Sequence, residues 1–332
     1  MSTLARRALL LGLTGVSLYL LAPSLIEVFS SAPRLSAIQP LWFVPMIVLQ
    51  AASLVCMALV QRICLHTEAF GPVLSSQVAG NAFARIVPGG GAAGAALQYS
   101  MLVSSGAAAA GQAASALTAA NLFTFATLLA LPVFTLPAIL GGAPVADGLG
   151  QAALLGVAGF AVMAAIGALF LVFDEPLARV GRGVQMVRNR VLRGRPPLTD
   201  LPERLLRERN MVLSALGEKW KRALLASVGR WMLDYGTLVT ALAAVGATPQ
   251  PSLVLLAYVA AQVLAQIPIT PGGLGFVEAG LVGLLALAGV AAADAALATL
   301  AYRLVSYWLP LPAGAAATYI HRRRYPPVPA AT

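Results

Sequence analysis

Two clusters of proline and glycine lie inside long apolar stretches, and they constrain the fold of this chain more than any other feature. Residues 266–278 read QIPITPGGLGFVE and residues 81–91 read NAFARIVPGGG. Proline and glycine interrupt helices, and irregular backbone persists at membrane depth only where protein or a water-filled cavity satisfies its polar groups. Two such segments in corresponding halves of a chain indicate a transporter-type binding site. The predicted turn residues are Pro88, Gly89, Gly90 and Gly91, then Pro268, Pro271, Gly272, Gly273 and Gly275.

The apolar runs around these clusters are long enough to cross a bilayer. Hydrophobic residues make up 59% of the chain and charged residues 10%, whereas soluble domains are about half apolar and a quarter charged. The sequence therefore predicts an all-α, polytopic membrane protein. Since a span needs about 20 apolar residues, we expect about six full spanning helices and two Pro/Gly-broken hairpins, at residues 68–105 and 252–290. The predicted spans are residues 8–29, 40–60, 112–136, 148–173, 223–245 and 295–319.

The positive charges predict the topology. Arg6 and Arg7 precede the first apolar run, residues 174–222 are rich in arginine, and three arginines follow His321. Under the positive-inside rule both termini and the central loop are cytoplasmic, at a bacterial inner membrane. The hairpins then enter from opposite faces, as inverted-topology repeats do. The predicted division is a first membrane half at 1–173, a basic cytoplasmic loop at 174–222, a second half at 223–320 and a disordered tail at 321–332.

The basic loop has two readings that the sequence leaves open. Residues 176–192 and 201–221 are amphipathic stretches separated by a Gly/Pro turn. They form either a solvated linker or interfacial helices that lie on anionic lipid. Topology and attraction to lipid headgroups account for the net charge of +10, so no nucleic-acid partner is predicted.

Ionisable residues inside apolar segments are the first candidates for a functional site. Arg85 needs a carboxylate, backbone carbonyls or a phosphate, because an unpartnered arginine inside a membrane is costly. Arg230 and Asp234 share a helix face, which favours a structural ion pair. Glu278 either complements the first turn of a helix or pairs with Arg85 or Arg303 and is displaced by an anionic headgroup.

Other polar residues extend this list. A cavity lining or interhelical hydrogen bonds would explain them equally well, and tryptophans at positions 42, 231 and 308 fit an interfacial belt. The spacing of the cysteines and histidines predicts no metal site. There is no GxSxG, HExxH or Walker A motif, so neither an enzyme nor an ATP-driven pump is expected, and no cofactor. The polar candidates are Asn81, Gln98, Tyr99, Asn121, Tyr235, Tyr258, Gln262, Gln266, Thr270, Tyr302 and Tyr307.

Three motifs together resemble a known family. They are residues 266–278 followed by Ala301-Tyr302-Arg303, the stretch 88–94 followed by Gln98-Tyr99, and Arg230-Trp231 with Asp234. They resemble the lysylphosphatidylglycerol synthase transmembrane region, a flippase-like family of integral membrane proteins, over nearly the whole chain. Many relatives carry a Gly-Glu pair and an arginine at the first motif, where this chain has Ala92, Ala93 and Gln98.

The resemblance implies lipid translocation. In that family the membrane region is assigned translocation, and a separate cytosolic domain aminoacylates the lipid. Because this chain ends shortly after its last predicted helix, we expect no lysyl transfer. We expect it to move an anionic or polyprenyl-linked lipid without ATP. The expected lipid-binding residues are Arg85, Arg230 and Arg303 for the phosphate, Glu278 as competing counter-ion, and Asp234, Asn81, Gln98, Gln266 and Tyr302 along the path.

Two alternatives stay open. The chain could instead be a non-transporting scaffold that holds an envelope lipid- or glycan-modifying enzyme through residues 174–222. It could also be a small-solute secondary transporter, which fits an inverted repeat but not the resemblance. The expected partners are membrane lipids, with an envelope-biosynthesis enzyme or further copies of this chain as additional candidates.

Overall fold

The computed structural model describes residues 38–87, 90–135, 172–191, 199–266 and 273–325, together with residues 165, 169 and 170. Within these ranges all regular secondary structure is helical, so the predicted all-α class is confirmed for the described residues. Several predicted features lie outside the described residues: the span 8–29, most of the span 148–173, the end of the tail, and turn residues Pro88, Gly89, Pro268, Pro271 and Gly272.

The apolar runs form α-helices before and after the basic loop, and the basic loop itself contributes two further α-helices. Short 3₁₀ turns at Pro40–Trp42, Leu131–Thr135 and Gly217–Lys219 adjoin four of the helices. In chain order the helices are α1 Phe43–Leu65, α2 Phe70–Ile86, α3 Gly90–Ser104, α4 Ala110–Ala130, α5 Asp174–Val191, α6 Leu201–Leu216, α7 Trp220–Ala244, α8 Pro251–Leu264, α9 Phe276–Leu287, α10 Ala292–Arg303 and α11 Pro310–Arg324.

Two helical segments of the described chain are both long and apolar enough to cross a membrane. They are Pro40–Leu65, with 26 residues, and Ala110–Val133, with 24 residues. They coincide with the predicted spans 40–60 and 112–136. Helix α7, with 25 residues, covers the predicted span 223–245 and packs along α1 over much of its length. These three helices surround the polar groups described below.

The two Pro/Gly clusters interrupt the helices where the sequence predicts. Helix α2 (17 residues) ends at Ile86 and α3 (15 residues) begins at Gly90. Helix α8 (14 residues) ends at Leu264 and α9 (12 residues) begins at Phe276. Each of these four helices is shorter than the roughly 20 residues of a full span. Gly273 and Gly275 have φ values of 73° and 77°, a left-handed conformation that glycine adopts without the penalty of a Cβ atom.

The predicted span at 295–319 corresponds to two α-helices joined by a π-helical turn, which the sequence does not predict. Helix α10 ends at Arg303, a π-helical turn occupies Leu304–Trp308, and α11 begins at Pro310. Proline has no backbone N–H, so Pro310 cannot donate to the Ser306 carbonyl four residues earlier. The Ser306 carbonyl can therefore accept a hydrogen bond from another part of the bundle. π-Helical turns of this kind are frequent at functional sites.

Helix α2 is held between α3 and α11 by close backbone contacts. A Cβ atom at Gly94 would lie 2.5 Å from the carbonyl oxygen of Gly80, and one at Gly314 would lie 2.2 Å from the Cβ atom of Ala82. Small residues allow membrane helices to approach in this way. His321, near the end of α11, adds polar contacts to the Ser75 hydroxyl at 2.8 Å and the Met101 carbonyl at 3.1 Å.

We expect Gly314→Ala to destabilise the protein by about 1–3 kcal/mol, the usual cost of overpacking a tight interface. The new methyl group would overlap Ala82, which has no flexible end that could move aside. The control is Gly283→Ala in α9, where a Cβ atom meets nothing within 4 Å and alanine favours the helix by about 0.5–1 kcal/mol. Thermal unfolding in detergent compares them, and equal shifts for both variants would refute the close contact.

The basic loop is helical in its described parts. Helices α5 and α6 pack against each other, and Gln185 accepts a hydrogen bond from the Leu201 backbone N–H at 3.0 Å. On α5, Val180, Val184 and Val187 are about half exposed and share one face. An exposed apolar stripe on an arginine-rich helix is typical of a helix at a membrane surface, which favours the interfacial reading of the loop.

Candidate functional site

A cavity of about 480 Å³ lies at the centre of the helical bundle. Its walls come from α1, α2, α3, α4, α7 and α8, and also from Ala265, Gln266, Arg303 and Tyr307. A second cavity of about 80 Å³ shares part of its lining, including Arg85, Arg230 and Arg303. The fold thus brings together three arginines from separate parts of the sequence, at a site whose volume is in the range of ligand pockets.

Arg303 forms a buried ion pair with Glu278. Its Nε lies 2.6 Å from the Glu278 Oε1, and the two side chains are only 11% and 16% exposed. The guanidinium also lies over the ring of Tyr307, with its Cζ 4.4 Å from the ring centroid. Of the two ion pairs that the sequence allows for Glu278, the structure contains the one with Arg303. Glu278 is also in the first turn of α9, so it has both the position and the pairing that the sequence suggests, and its displacement by a headgroup stays a prediction.

Arg85 binds the carbonyl groups that the π-turn exposes. Its Nη1 donates to the carbonyl oxygens of Ser306, at 2.5 Å, and Tyr307, at 2.7 Å. In return, the Tyr307 hydroxyl donates to the Arg85 carbonyl at 2.9 Å. Because Pro310 leaves the Ser306 carbonyl without its α-helical donor, Arg85 supplies a missing hydrogen bond. These contacts join the end of α2 to the π-helical turn between α10 and α11.

Arg230 presents a buried nitrogen without a hydrogen-bond partner. Its Nη1 is shielded from solvent and has no acceptor among the residues that the structure describes. The guanidinium stacks on Trp231, with the Cζ 3.6 Å from the ring centroid. The Trp231 indole N–H donates to the Thr124 carbonyl at 2.8 Å, and its side chain is buried. The predicted place of Trp231 in an interfacial belt is therefore wrong: it lines the cavity.

Asp234 is hydrogen-bonded to tyrosines. Its Oδ2 accepts from the hydroxyls of Tyr258 at 2.6 Å and Tyr302 at 2.9 Å, and from the Gln262 Nε2 at 3.3 Å. Within the described chain no ion pair joins Asp234 to Arg230, so the ion pair favoured from the sequence is wrong. The tyrosine hydroxyls come from α8 and α10, which the spacing of residues on α7 cannot reveal.

Three glutamine side chains form a hydrogen-bonded chain beside the cavity, and two of them, Gln77 and Gln98, line it. The Gln61 Nε2 donates to the Gln77 Oε1 at 2.7 Å and to the Gln98 Oε1 at 3.0 Å. Gln98 packs directly over Gly80, where a Cβ atom would lie 2.2 Å from its Cγ. Gln61 and Gln77 are not among the candidates from the sequence. Their only signal is an amide group inside an apolar run, and interhelical hydrogen bonding explains such a group equally well.

Most of the residues predicted from the sequence converge on this site. Asn81, Gln98 and Gln266 line the larger cavity, and the Asn81 Oδ1 is buried without a partner in the described chain. Asp234 and Tyr302 line the smaller cavity. Glu278 reaches the site through Arg303. Among the turn residues, Gly91 lines the larger cavity and Gly90 begins α3.

Comparison with known proteins identifies the family. The profile described as "Lysylphosphatidylglycerol synthase TM region" matches residues 8–314 of the chain. The chain belongs to this family. As a member of the lysylphosphatidylglycerol synthase transmembrane family it is a membrane protein, and the resemblance seen in its motifs is confirmed.

A curated relative supports the same family, over a shorter stretch. A "UPF0104 membrane protein" of Methanothermobacter thermautotrophicus is 37% identical over 84 residues, which is 25% of this chain and 24% of the relative. The match thus spans about a quarter of the relative's length. No solved structure matches the chain significantly. Membership of the lysylphosphatidylglycerol synthase transmembrane family does not identify a ligand, which has to be argued from the site.

Proposed function

We propose that this protein moves an anionic lipid between the leaflets of a bacterial inner membrane without ATP. The observation that carries the proposal is the convergence of Arg85, Arg230 and Arg303 on one cavity inside a bundle of apolar helices. Charged residues at membrane depth mark substrate pathways. Guanidinium groups match phosphate geometry with their planar donor forks, so a phosphate headgroup is the ligand that suits these three residues best.

The two broken hairpins supply the proposed transport cycle. The positive-inside rule predicts that the arginine-rich segments at residues 174–222 and 322–324 are cytoplasmic. The hairpins would then enter the membrane from opposite faces. Helices α2 and α3 line the cavity from one hairpin, and Gln262 and Gln266 line it from the other. Alternate opening of the hairpins would expose the cavity to each leaflet in turn, as inverted repeats allow.

Arg303 and Glu278 provide a way to bind and release the headgroup. In the structure the Glu278 carboxylate neutralises Arg303, with the Arg303 Nε 2.6 Å from the Glu278 Oε1. An arriving phosphate competes for the same guanidinium, and Glu278 recaptures it when the lipid leaves. This exchange keeps Arg303 paired throughout the cycle, which matters because an isolated buried charge is costly.

A lipid-translocation assay tests the proposal. The full chain is reconstituted in liposomes that contain fluorescent phosphatidylglycerol, and the accessible label is quenched with dithionite. We expect Arg230→Gln to slow translocation by about tenfold or more, because a hydrogen bond to a charged group contributes about 1.5–3 kcal/mol and 1.4 kcal/mol is a factor of ten. Since Arg230 Nη1 has no partner in the described chain, the variant should fold normally.

The matched control is Arg179→Gln on α5, whose side chain is 72% exposed and pairs with Glu175. It should translocate lipid at the rate of the unmodified protein. Equal rates for Arg230→Gln, Arg179→Gln and protein-free liposomes would contradict the proposal. They would favour a scaffold that holds an envelope enzyme, and the exposed valines of α5 would be its docking face. That role would be identified by an enzyme that co-purifies with the full chain and no longer co-purifies when residues 174–222 are deleted.

A further inference from the structure

The balance of charges around the cavity limits how much negative charge a ligand can bring. Among the described residues, the lining of the larger cavity contains three arginines and no carboxylate. Two carboxylates lie close by: Glu278 pairs with Arg303, and Asp234 lines the smaller cavity. Three guanidinium groups against two carboxylates leave one positive charge uncompensated. A ligand with a single negative charge would neutralise the described site.

The guanidinium groups are not equally available to that ligand. Arg85 already donates to two carbonyl oxygens, and Arg303 donates to Glu278. The Arg230 Nη1 is buried at the cavity and has no partner in the part of the chain that the structure describes. Stacking on Trp231 holds this guanidinium in place. Arg230 is therefore the residue that a phosphate oxygen would satisfy first.

Neutral amides make up most of the remaining polar wall, together with the hydroxyl groups of Thr124 and Tyr307. Asn81, Gln98, Gln262 and Gln266 line the larger cavity, and an amide can both donate and accept hydrogen bonds. The buried Asn81 Oδ1 lacks a donor among the described residues. Hydroxyl groups match such a wall because they also donate and accept. An amine headgroup would add a positive charge to a site that already has one uncompensated positive charge. Among the described residues, the lining of the larger cavity has no carboxylate to pair with that amine.

We propose that the site selects a lipid whose headgroup is one phosphodiester bearing an uncharged polyol, such as glycerol or a sugar. The phosphodiester contacts Arg230, and the hydroxyl groups contact the amides of both hairpins. This inference rests on the proposed lipid translocation and narrows its substrate. It excludes headgroups with an amine, and phosphate monoesters, which carry about −1.5 to −2 at neutral pH.

Calorimetric titration of the full chain in detergent tests this selectivity. The probes are dioctanoyl forms of phosphatidylglycerol, phosphatidylethanolamine and phosphatidic acid, together with glycerophosphoglycerol and inorganic phosphate. We expect phosphatidylglycerol to bind about tenfold more tightly than the other two lipids. All three lipids offer a phosphate to Arg230, so the difference comes from the glycerol hydroxyl groups, whose hydrogen bonds to the amides contribute about 0.5–1.5 kcal/mol each, and 1.4 kcal/mol is a factor of ten. Glycerophosphoglycerol should bind more weakly than the lipid, and inorganic phosphate weakest, because neither contains acyl chains.

Variants of Arg230 locate the binding site. Arg230→Gln should weaken phosphatidylglycerol binding by about tenfold. The affinity of Arg230→Lys should lie between those of the unmodified protein and Arg230→Gln, because lysine keeps the charge but lacks the planar fork. Arg179→Gln should bind as tightly as the unmodified protein. The affinities of the lipids are compared on the unmodified protein. The test of headgroup selectivity therefore stays decisive even if Arg230→Gln fails to fold.

Each adverse outcome has its own meaning. Equal or tighter binding of phosphatidylethanolamine or phosphatidic acid would overturn the polyol selectivity, yet Arg230-dependent translocation in liposomes would still support the proposed function. Inorganic phosphate that binds as tightly as the lipid would make free phosphate the ligand and overturn both. Selective phosphatidylglycerol binding without translocation would keep the inference about the headgroup and refute transport.

Discussion

Glu278→Ala is expected to lower the free energy of unfolding by about 3–5 kcal/mol, the usual cost of removing one member of a buried ion pair. The variant would leave the Arg303 guanidinium, which is 11% exposed, without the carboxylate that lies 2.6 Å from it. The ring of Tyr307 would remain in contact with Arg303. A cation–π contact contributes only about 0.5–2 kcal/mol, so it cannot replace the carboxylate.

Thermal and denaturant unfolding in detergent micelles measure this effect. Glu175→Ala is the control, because Glu175 is 61% exposed and its pairs with Arg179 and Arg182 lie on the protein surface. Surface pairs contribute about 0–1 kcal/mol. The double variant Glu278→Ala, Arg303→Met should recover much of the lost stability, since no unpaired charge remains. Additive losses in the double variant would show that the two residues do not stabilise each other.

Arg85→Ala is expected to destabilise the protein by about 3 kcal/mol. Arg85 donates to two carbonyl oxygens of the π-turn, hydrogen bonds from a charged group contribute about 1.5–3 kcal/mol each, and a buried acceptor left without a donor is costly. Backbone amides at the end of α2 should also exchange hydrogen faster, because the contact between α2 and the π-turn is lost. Thermal unfolding and hydrogen exchange measure the two effects.

A second substitution tests the reason for this effect. Pro310→Ala restores a backbone N–H four residues after Ser306, which gives the Ser306 carbonyl a donor of its own. In this background Arg85→Ala should therefore cost less than it does alone. Arg179→Ala, which removes an exposed side chain, should change stability by less than about 0.5 kcal/mol. An Arg85→Ala cost that Pro310→Ala leaves unchanged would contradict the role assigned to the freed carbonyl.

Local chemistry explains which features could be predicted from the sequence. The apolar runs 40–60 and 112–136 become long helices because their composition suits a bilayer along their whole length. The breaks near Gly90 and Gly273 follow from the backbone properties of proline and glycine. Arg85, Arg230 and Arg303 stand out as candidates because charges are rare in apolar sequence, and the structure brings all three to one cavity.

The partner of each charged group follows from packing between distant segments. The sequence alone determined the helical class, the positions of the two clusters that break the helices, and the charged and polar candidates, since each depends on neighbouring residues. Only the tertiary structure decided that Glu278 pairs with Arg303, that Asp234 binds Tyr258 and Tyr302, and that Arg85 caps the π-turn carbonyls. These contacts join residues at least 24 positions apart, and side-chain spacing within one helix carries no information about which other helix will lie beside it.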